Sequence, residues 1–196
     1  MRCSRGLHQR RRARVGAGFG LLELLISLAV LTILASAAVQ PAQQMLRARS
    51  VDHAVEGMVS ALARARAEAM ARAEVVTVCP RDPQAGDAAA VCANSLEWSA
   101  GWLVFVDRAQ RGRLEPNDLL LQAIQPPPHP PRVLATLRRI SFMPTGISLN
   151  AASHIDFVPE GSDPAAPDVV GARRACVNKP GRLRLLSRVL PCAGSV

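Results

Sequence analysis

Histidine and aromatic residues are scarce in this sequence, which limits the chemistry it can perform. The 196 residues include four histidines, and aromatic residues make up 3% of the chain. The histidines are scattered, and neither the H-E-x-x-H motif of zinc peptidases nor the G-x-S-x-G motif of serine hydrolases occurs. The sequence therefore predicts that the protein is not an enzyme and needs no cofactor.

Metal-binding patterns are absent as well. The five cysteines include no C-x-x-C pair, and no histidine pair lies near them, so a zinc site is not expected. The segment "DRAQRGRLEPND", from Asp107 to Asp118, has the length of a calcium-binding loop. However, Ala109 and Arg111 stand where such a loop needs oxygen ligands. We interpret this segment as a turn and predict no metal site.

Acidic residues are missing from both ends of the chain. Residues 1–18 hold six arginines and no acid. No acid follows Asp168, and six cations lie there within 16 residues: Arg173, Arg174, Lys179, Arg182, Arg184 and Arg188. The whole chain has a net charge of +9, whereas without residues 1–18 it has 18 basic and 15 acidic residues and a charge of +3. The basic charge of the remaining chain is therefore concentrated in its C-terminal part.

One long apolar run follows the first basic segment. Phe19–Val39 covers 21 residues with a single charge, Glu23, and about 20 apolar residues are needed to cross a bilayer. Six arginines precede the run, whereas Arg47 and Arg49 are the first charges after it. The positive-inside rule therefore places the N-terminus in the cytoplasm. Because a carboxylate in such a segment is costly, we expect Glu23 to have a partner.

Three interpretations of this N-terminal region are open. A secretory signal peptide has a shorter apolar stretch, and a simple membrane anchor leaves Glu23 unexplained. The stretch "GFGLLELL", with a glycine, then phenylalanine, then a glutamate five residues past the glycine, closely resembles a type IV prepilin. The resemblance implies that prepilin peptidase cuts after Gly18 and methylates the new N-terminal Phe19. It also implies that Glu23 pairs with the terminal amine of a neighbouring subunit, which neutralises two charges.

The remaining sequence predicts an α+β fold. Residues 51–74 place Val51, Val55, Met58, Val59, Leu62, Ala65 and Ala69 at helical intervals, which indicates an amphipathic helix. From Val75 onward there are six β-rich runs, namely "VVTVC", "WLVFV", "LLLQAI", "RRISFM", "HIDFV" and "RLRLLS". The proline-rich segment 125–132 is expected to be a surface connector, and Pro41 to bend the helix.

These signals give a domain plan. We predict a cytoplasmic leader (1–18), an apolar helix for the membrane and filament core (19–50), and a periplasmic globular domain (51–196). In that domain the long helix packs on an antiparallel β-sheet, as in type IV pilins.

Four cysteines follow the apolar run: Cys79, Cys92, Cys176 and Cys192. An even number suits an oxidising periplasm. Three connectivities are possible and the sequence does not choose among them. The sequential pairs would close two short loops, each worth about 3 kcal/mol of stability. We expect two disulfides, with the sequential pairing favoured, and we expect Trp98 and Trp102 to pack in the core beside the first of them.

Further stretches resemble the GspH/FimT branch of the pilin superfamily. They are the helix-to-strand passage "ALARARAEAMARAEVVTVCP", the tryptophan-containing "WSAGWLVFVD" and the terminal "GRLRLL". The resemblance implies a FimT-type minor pilin of a type IV pilus, with a role in DNA uptake during natural transformation. The alternative is a GspH-type pseudopilin of a type II secretion system. The implied partners are other pilin subunits, prepilin peptidase, the inner membrane and, for the FimT type, DNA.

The terminal element carries the DNA hypothesis. On a strand, Arg182 and Arg184 would share one face while Leu183 and Leu185 point into the core. Gly181 would make a turn that lets phosphate approach the backbone. The family resemblance implies a DNA-binding patch that contains these two arginines together with Lys179 and Arg188, with Arg173 and Arg174 as further members. The alternative is an ordinary solvated strand. No aromatic residue lies between these arginines, so base stacking is not expected.

Overall fold

One helix and eight strands make up the regular structure of the described residues. The computed structural model describes residues 20–86, 90–150, 153–163, 165–166, 169–187 and 190–192, without the side chains of 37–44. The elements are α1 (Leu21–Arg72), β1 (Val76–Pro80), β2 (Trp102–Val106), β3 (Leu119–Ile124), β4 (Arg132–Ala135), β5 (Ile140–Phe142), β6 (Ser153–Val158), β7 (Arg173–Val177) and β8 (Leu183–Ser187). The predicted α+β class, with a long N-terminal helix and antiparallel sheets, is confirmed.

The chain divides into two compact units, Met1–Ala42 and Gln43–Val196. In the first unit, the described side chains of α1 are exposed, and Leu21 retains 77% of its accessible surface. In the part of the chain that the structure describes, no helix combines the length and the apolar character needed to cross a membrane. The helix assignment continues through Pro41, and the bend expected there stays a prediction.

The second unit is built on a buried stripe of α1. The residues expected to form this stripe are buried or, for Val59, packed against the core. Several are alanines, which let the helix backbone approach the sheets closely. The helix ends at Arg72 because Ala73 adopts a left-handed conformation with φ 56°, a common way to end a helix.

The first sheet has the strand order β3-β2-β1-β5, and all its neighbours are antiparallel. All residues of β1 and β2 are buried, because both faces of these strands are covered. One face meets α1 in the main core. The other carries a smaller cluster of Cys79, Leu103 and Phe105, beside the disulfide Cys79–Cys92. Continuous apolar runs such as "WLVFV" are typical of strands buried on both faces.

The two tryptophans pack in the main core, as expected, but not on the side of the first disulfide. Trp98 and Trp102 are almost fully buried and belong to the cluster that contains α1. Cys79 belongs to the cluster on the opposite face of β1. Trp102 lies opposite Pro80 in the ladder, one position after Cys79. Because side chains alternate along a strand, Trp102 and Cys79 lie on opposite faces of the sheet.

The second sheet has the order β4-β6-β7-β8 and is also antiparallel. Its strands β4 and β7 were not among the predicted β-rich runs, because β4 is short and follows a proline-rich connector, and β7 begins with two arginines. Strand β4 starts at Arg132 on the sheet edge, where nearby prolines are tolerated. At the opposite edge lies β8, which is the least buried strand of this sheet.

Candidate functional site

The turn between β7 and β8 positions the C-terminal cations. Asn178 closes this turn: its side-chain Oδ1 accepts a hydrogen bond from the Arg182 N–H at 2.7 Å. Its own N–H donates to the Arg182 carbonyl at 3.1 Å, and its carbonyl accepts from the Gly181 N–H at 2.8 Å. These bonds leave the exposed side chains of Lys179 and Arg182 at the tip of the hairpin.

Packing requires a glycine at position 181, and the expected approach of phosphate to its backbone stays a prediction. The residue is buried and has φ +76°. A Cβ placed there would lie 2.6 Å from the Gly146 carbonyl oxygen and 3.2 Å from the Phe142 ring. Its N–H is also bonded within the turn, so this N–H is already used.

Arg66 of α1 joins this turn, and the sequence analysis did not identify it. Its Nη1 donates to the Gly181 carbonyl at 3.4 Å. Its Nε would be 3.1 Å from a Cβ at Gly146 and 3.4 Å from one at Gly181. Two glycines with positive φ therefore make room for one guanidinium. The distance of 115 residues between Arg66 and Gly181 along the chain explains why no local pattern reveals the contact.

A groove lies between α1 and this turn, with a volume of about 460 Å³. Its walls are mostly apolar, and Arg66 and Arg182 also line it. The apolar lining residues are Val59, Leu62, Ala63, Ala67, Met70, Phe142, Val177 and Leu183, with Gly181. None of the lining residues is acidic.

On β8 itself, Arg184 is exposed, as expected. It pairs in register with Cys176 of β7, so it lies on the sheet face that points away from the core. Leu183 packs against the core. The expectation for Leu185 is wrong, because this side chain remains 48% exposed. At a sheet edge no further strand covers it. Arg188 lies outside the described residues.

Arg174 is engaged in an ion pair with Asp156, and its membership of a DNA-binding patch stays a prediction. Its guanidinium donates two hydrogen bonds to the Asp156 carboxylate, at 2.7 and 2.9 Å, and one to the Leu190 carbonyl at 3.4 Å. Hydrogen bonding to this carboxylate raises the pKa of Arg174 above its ordinary value. Such a half-buried bidentate pair serves to hold the sheet and the C-terminal segment together.

The groups near Arg174 support a structural role for the face of β7 that carries Arg174 and Cys176. The disulfide Cys176–Cys192 ties the segment after β8 to β7, and the four cysteines that follow the apolar run are thus paired sequentially, as expected. Burial, and then the charge of Arg174, lower the pKa of His154. Arg173 lies 3.8 Å from Asp52 with both side chains exposed, so its charge is only weakly compensated.

The segment resembling a calcium loop is a hydrogen-bonded turn. The Asp107 carboxylate accepts bonds from the Thr77 hydroxyl at 3.0 Å and from the backbone N–H groups of Arg111 at 3.0 Å and Gly112 at 2.7 Å. Asp118 accepts bonds from two further N–H groups of the same loop. These carboxylates are thus used to fix the chain between β2 and β3.

At the N-terminal end, Glu23 lies in the first turn of α1, where a carboxylate favourably meets the helix dipole. Its backbone carbonyl accepts a bond from the Ser27 hydroxyl at 2.7 Å. Gly18 and Phe19, the expected processing residues, lie outside the described residues, so processing stays a prediction.

Comparisons with known proteins identify the family. The prokaryotic N-terminal methylation motif matches residues 14–39. The family described as type II transport protein GspH matches residues 54–181, which is more than half of the chain. No curated protein matches the sequence.

Among solved structures, two crystal forms of the type IV minor pilin FimU from Pseudomonas aeruginosa strain PAO1 are similar. One has 13% sequence identity and a TM-score of 0.46 over 76% of this chain and 97% of that chain. The other has 12% identity and a TM-score of 0.48 over 78% and 96%. By its family match, the chain belongs to the GspH family of type IV minor pilins and pseudopilins, which are structural subunits and not enzymes.

Proposed function

We propose that this protein is a minor subunit of a type IV pilus and contacts DNA through the turn between β7 and β8. The observation that carries the proposal is the convergence of Arg66, Lys179 and Arg182 at this turn. Among the described residues, no carboxylate forms an ion pair with any of these three. A cluster of uncompensated cations on a chain whose net charge beyond residue 18 is only +3 is a local field suited to a polyanion.

The first step of the proposed life cycle is processing at the membrane. The 21-residue apolar run from Phe19 inserts in the inner membrane with the N-terminus in the cytoplasm, and prepilin peptidase removes residues 1–18 and leaves N-methylated Phe19. The methylation motif over residues 14–39 supports this step. The two disulfides beyond the run support a periplasmic location for the globular domain, because disulfides persist in oxidising compartments.

Mass spectrometry of the N-terminus, on protein extracted from membranes, tests processing. We expect a first residue of methylated Phe19. A mature N-terminus near Ala42, or an uncut chain, would mean that the run is a signal peptide or a plain anchor.

Assembly follows from the same segment. After cleavage, Glu23 becomes the fifth residue, and the amine of a neighbouring Phe19 supplies the positive charge that its carboxylate needs. The exposed apolar side chains of residues 21–36 are then covered by the corresponding helices of other subunits.

DNA binding is assigned to Arg182 and Arg184, with Lys179 as an outer contact and Arg66 as an addition from the structure. Arg188 is retained as a second outer contact, as the sequence predicts. Arginine suits phosphate because its planar guanidinium donates two parallel hydrogen bonds. Contacts of this kind are made to the backbone, so affinity should depend little on base sequence and should fall with salt.

Fluorescence anisotropy with the fragment Gln43–Val196 tests this assignment. The fragment contains the whole main core, so it has what a domain needs to fold alone, and it lacks the arginines of residues 1–18. With four phosphate contacts, the slope of log affinity against log salt should be roughly −3, and Arg182→Gln with Arg184→Gln should reduce its magnitude by about half.

The matched control is Arg111→Gln with Arg113→Gln, which removes two charges from the loop between β2 and β3. Both of these arginines contact Glu115, at 3.1 and 3.0 Å. We expect the control variant to bind DNA like the parent. If the two double variants behave alike, the assignment to Arg182 and Arg184 is wrong.

The alternative function is a pseudopilin of a type II secretion system, which the description of the matching family favours. In that case the protein is a structural component of the secretion pseudopilus without a nucleic-acid role. Absence of measurable DNA binding by the folded parent fragment would favour this alternative.

A further inference from the structure

The groove between α1 and the turn of β7 and β8 has the character of a binding site. Its volume of about 460 Å³ lies within the usual range of ligand pockets, which are mostly apolar with a few placed polar groups. Ala63 and Ala67 are small residues on α1, so the helix leaves open space there. Arg66 and Arg182 are the charged groups of the lining.

Arg66 is held in place at this groove before any ligand binds. Its Nε is buried without a hydrogen-bond partner among the described residues, and the hydrogen bond from its Nη1 to the Gly181 carbonyl is long at 3.4 Å. The space that the guanidinium occupies exists because positions 146 and 181 are glycines, where a Cβ would lie 3.1 and 3.4 Å from its Nε. A partly desolvated guanidinium with unused donors favours an anionic group nearby.

The number of cations distinguishes between possible ligands. A single carboxylate of a peptide would occupy one guanidinium. Here Arg66, Arg182 and Lys179 surround the same turn, and the groove lining contains no acid. Several cations beside one apolar groove fit a ligand with repeated phosphates and an apolar, flat group between them. Single-stranded DNA has this chemistry, because its bases are not engaged in pairing.

We propose that the groove takes one unpaired base of single-stranded DNA, while Arg66 and Arg182 bind the phosphates on either side of it. This inference rests on the proposed DNA-binding function and adds the form of DNA that is preferred. The base contacts aliphatic side chains such as Met70 and Leu183 instead of stacking on an aromatic ring. Paired bases in a duplex cannot enter the groove, so a duplex offers its phosphates alone.

Three probes distinguish the base from the backbone: a 20-nucleotide oligo-dT, a 20-nucleotide abasic oligomer and a 20-base-pair duplex. We expect fragment Gln43–Val196 to bind oligo-dT about fivefold or more tightly than the abasic oligomer, because only oligo-dT has a base to transfer from water into the apolar groove. The variant Ala63→Leu fills the groove with a good helix former and should abolish this preference without weakening duplex binding. The matched control is Ala71→Leu, at an exposed position of the same helix that does not line the groove.

The results distinguish base binding in the groove from DNA binding in general. Equal affinity for oligo-dT and the abasic oligomer, with no effect of Ala63→Leu, would overturn the base-binding groove and leave DNA binding intact. Failure to bind any of the three probes would overturn the DNA function as well. Binding of an acidic peptide instead, blocked by Ala63→Leu, would reassign the groove to a protein partner. Circular dichroism of each variant verifies that the fragment is folded.

Discussion

The two halves of α1 are both helical but differ in how their side chains are buried. Around Leu21 and its neighbours, the described side chains up to Ser36 are all exposed. From Val51 to Ala69, one stripe is buried against both sheets. The first half is apolar on every side, whereas the second alternates apolar residues with arginine and glutamate. A helix that is apolar all around needs surroundings that its own domain does not supply.

This difference implies that the two halves of the helix have different functions. Residues on the second half should determine whether the globular unit folds, and residues on the first half should determine where the subunit goes and what it joins. The side of the second half that lines the groove belongs to the proposed DNA site. Four substitutions test this division, in order of decreasing effect.

The largest effect is expected for Met58→Ala, because this side chain is fully buried in the main core. Removing it leaves a cavity, and the free energy of unfolding of Gln43–Val196 should fall by about 2–5 kcal/mol. The melting temperature should fall by roughly 2–4 °C for each kcal/mol. Thermal and urea denaturation measure both quantities.

Met45→Ala is the matched control, since Met45 is 55% exposed on the same helix. We expect it to change the free energy of unfolding by less than about 0.5 kcal/mol. Similar losses in the two variants would contradict the view that stability resides in the buried stripe.

The second prediction concerns helix-to-sheet distance. Ala65 is fully buried, and Ala65→Leu should overpack the core and lower the free energy of unfolding by about 1–3 kcal/mol. Ala63→Leu makes the same change two residues earlier, at an exposed position, and should leave stability nearly unchanged. An Ala65→Leu variant as stable as the parent would indicate that α1 does not pack closely on the sheets.

The third prediction moves to the first half of the helix. Glu23→Ala removes a carboxylate from the first turn of an apolar segment, where a charge is costly to insert, so membrane insertion should be as good as in the parent or better. Incorporation into filaments should fall about tenfold, the equivalent of roughly 1.4 kcal/mol. Quantitative immunoblotting of membrane and filament fractions measures the two steps separately.

Ser27→Ala is the control, because the Ser27 hydroxyl donates its hydrogen bond to the Glu23 carbonyl, within the backbone of its own helix. It should assemble normally. If Glu23→Ala assembles as well as Ser27→Ala, the pairing of Glu23 with a neighbouring amine is wrong.

The smallest effect is expected for Arg66→Gln, at the groove beside the turn between β7 and β8. One lost phosphate contact should reduce the magnitude of the salt slope of DNA binding by about 0.7–0.9, with little change in stability. Arg64→Gln serves as the comparison, since Arg64 is an exposed arginine of the same helix that lies 3.9 Å from Glu68. Equal slopes for these two variants would remove Arg66 from the interface.

Several features could be predicted because they depend on local or periodic patterns. The spacing of Met58, Leu62 and Ala65 identified the buried side of the helix, and "WLVFV" and "LLLQAI" gave β2 and β3 with their observed bounds. Strand β7 was missed because its first two residues are arginines. Arg174 is tolerated there because it pairs with Asp156 of the neighbouring strand. This partner lies 18 residues away in the sequence, so no local pattern reveals the pair.

At the candidate site, too, contacts between residues that are distant in the sequence could not be predicted. The sequence alone determined that cations accumulate after Asp168, that the chain has an apolar segment with one acid, and that the helix has a buried side, since these follow from composition and spacing. Only the tertiary structure decided which cations are compensated. It pairs Arg174 with Asp156, fills the space at Gly181 and brings Arg66 to the turn, because packing joins residues according to distance in space and not along the chain.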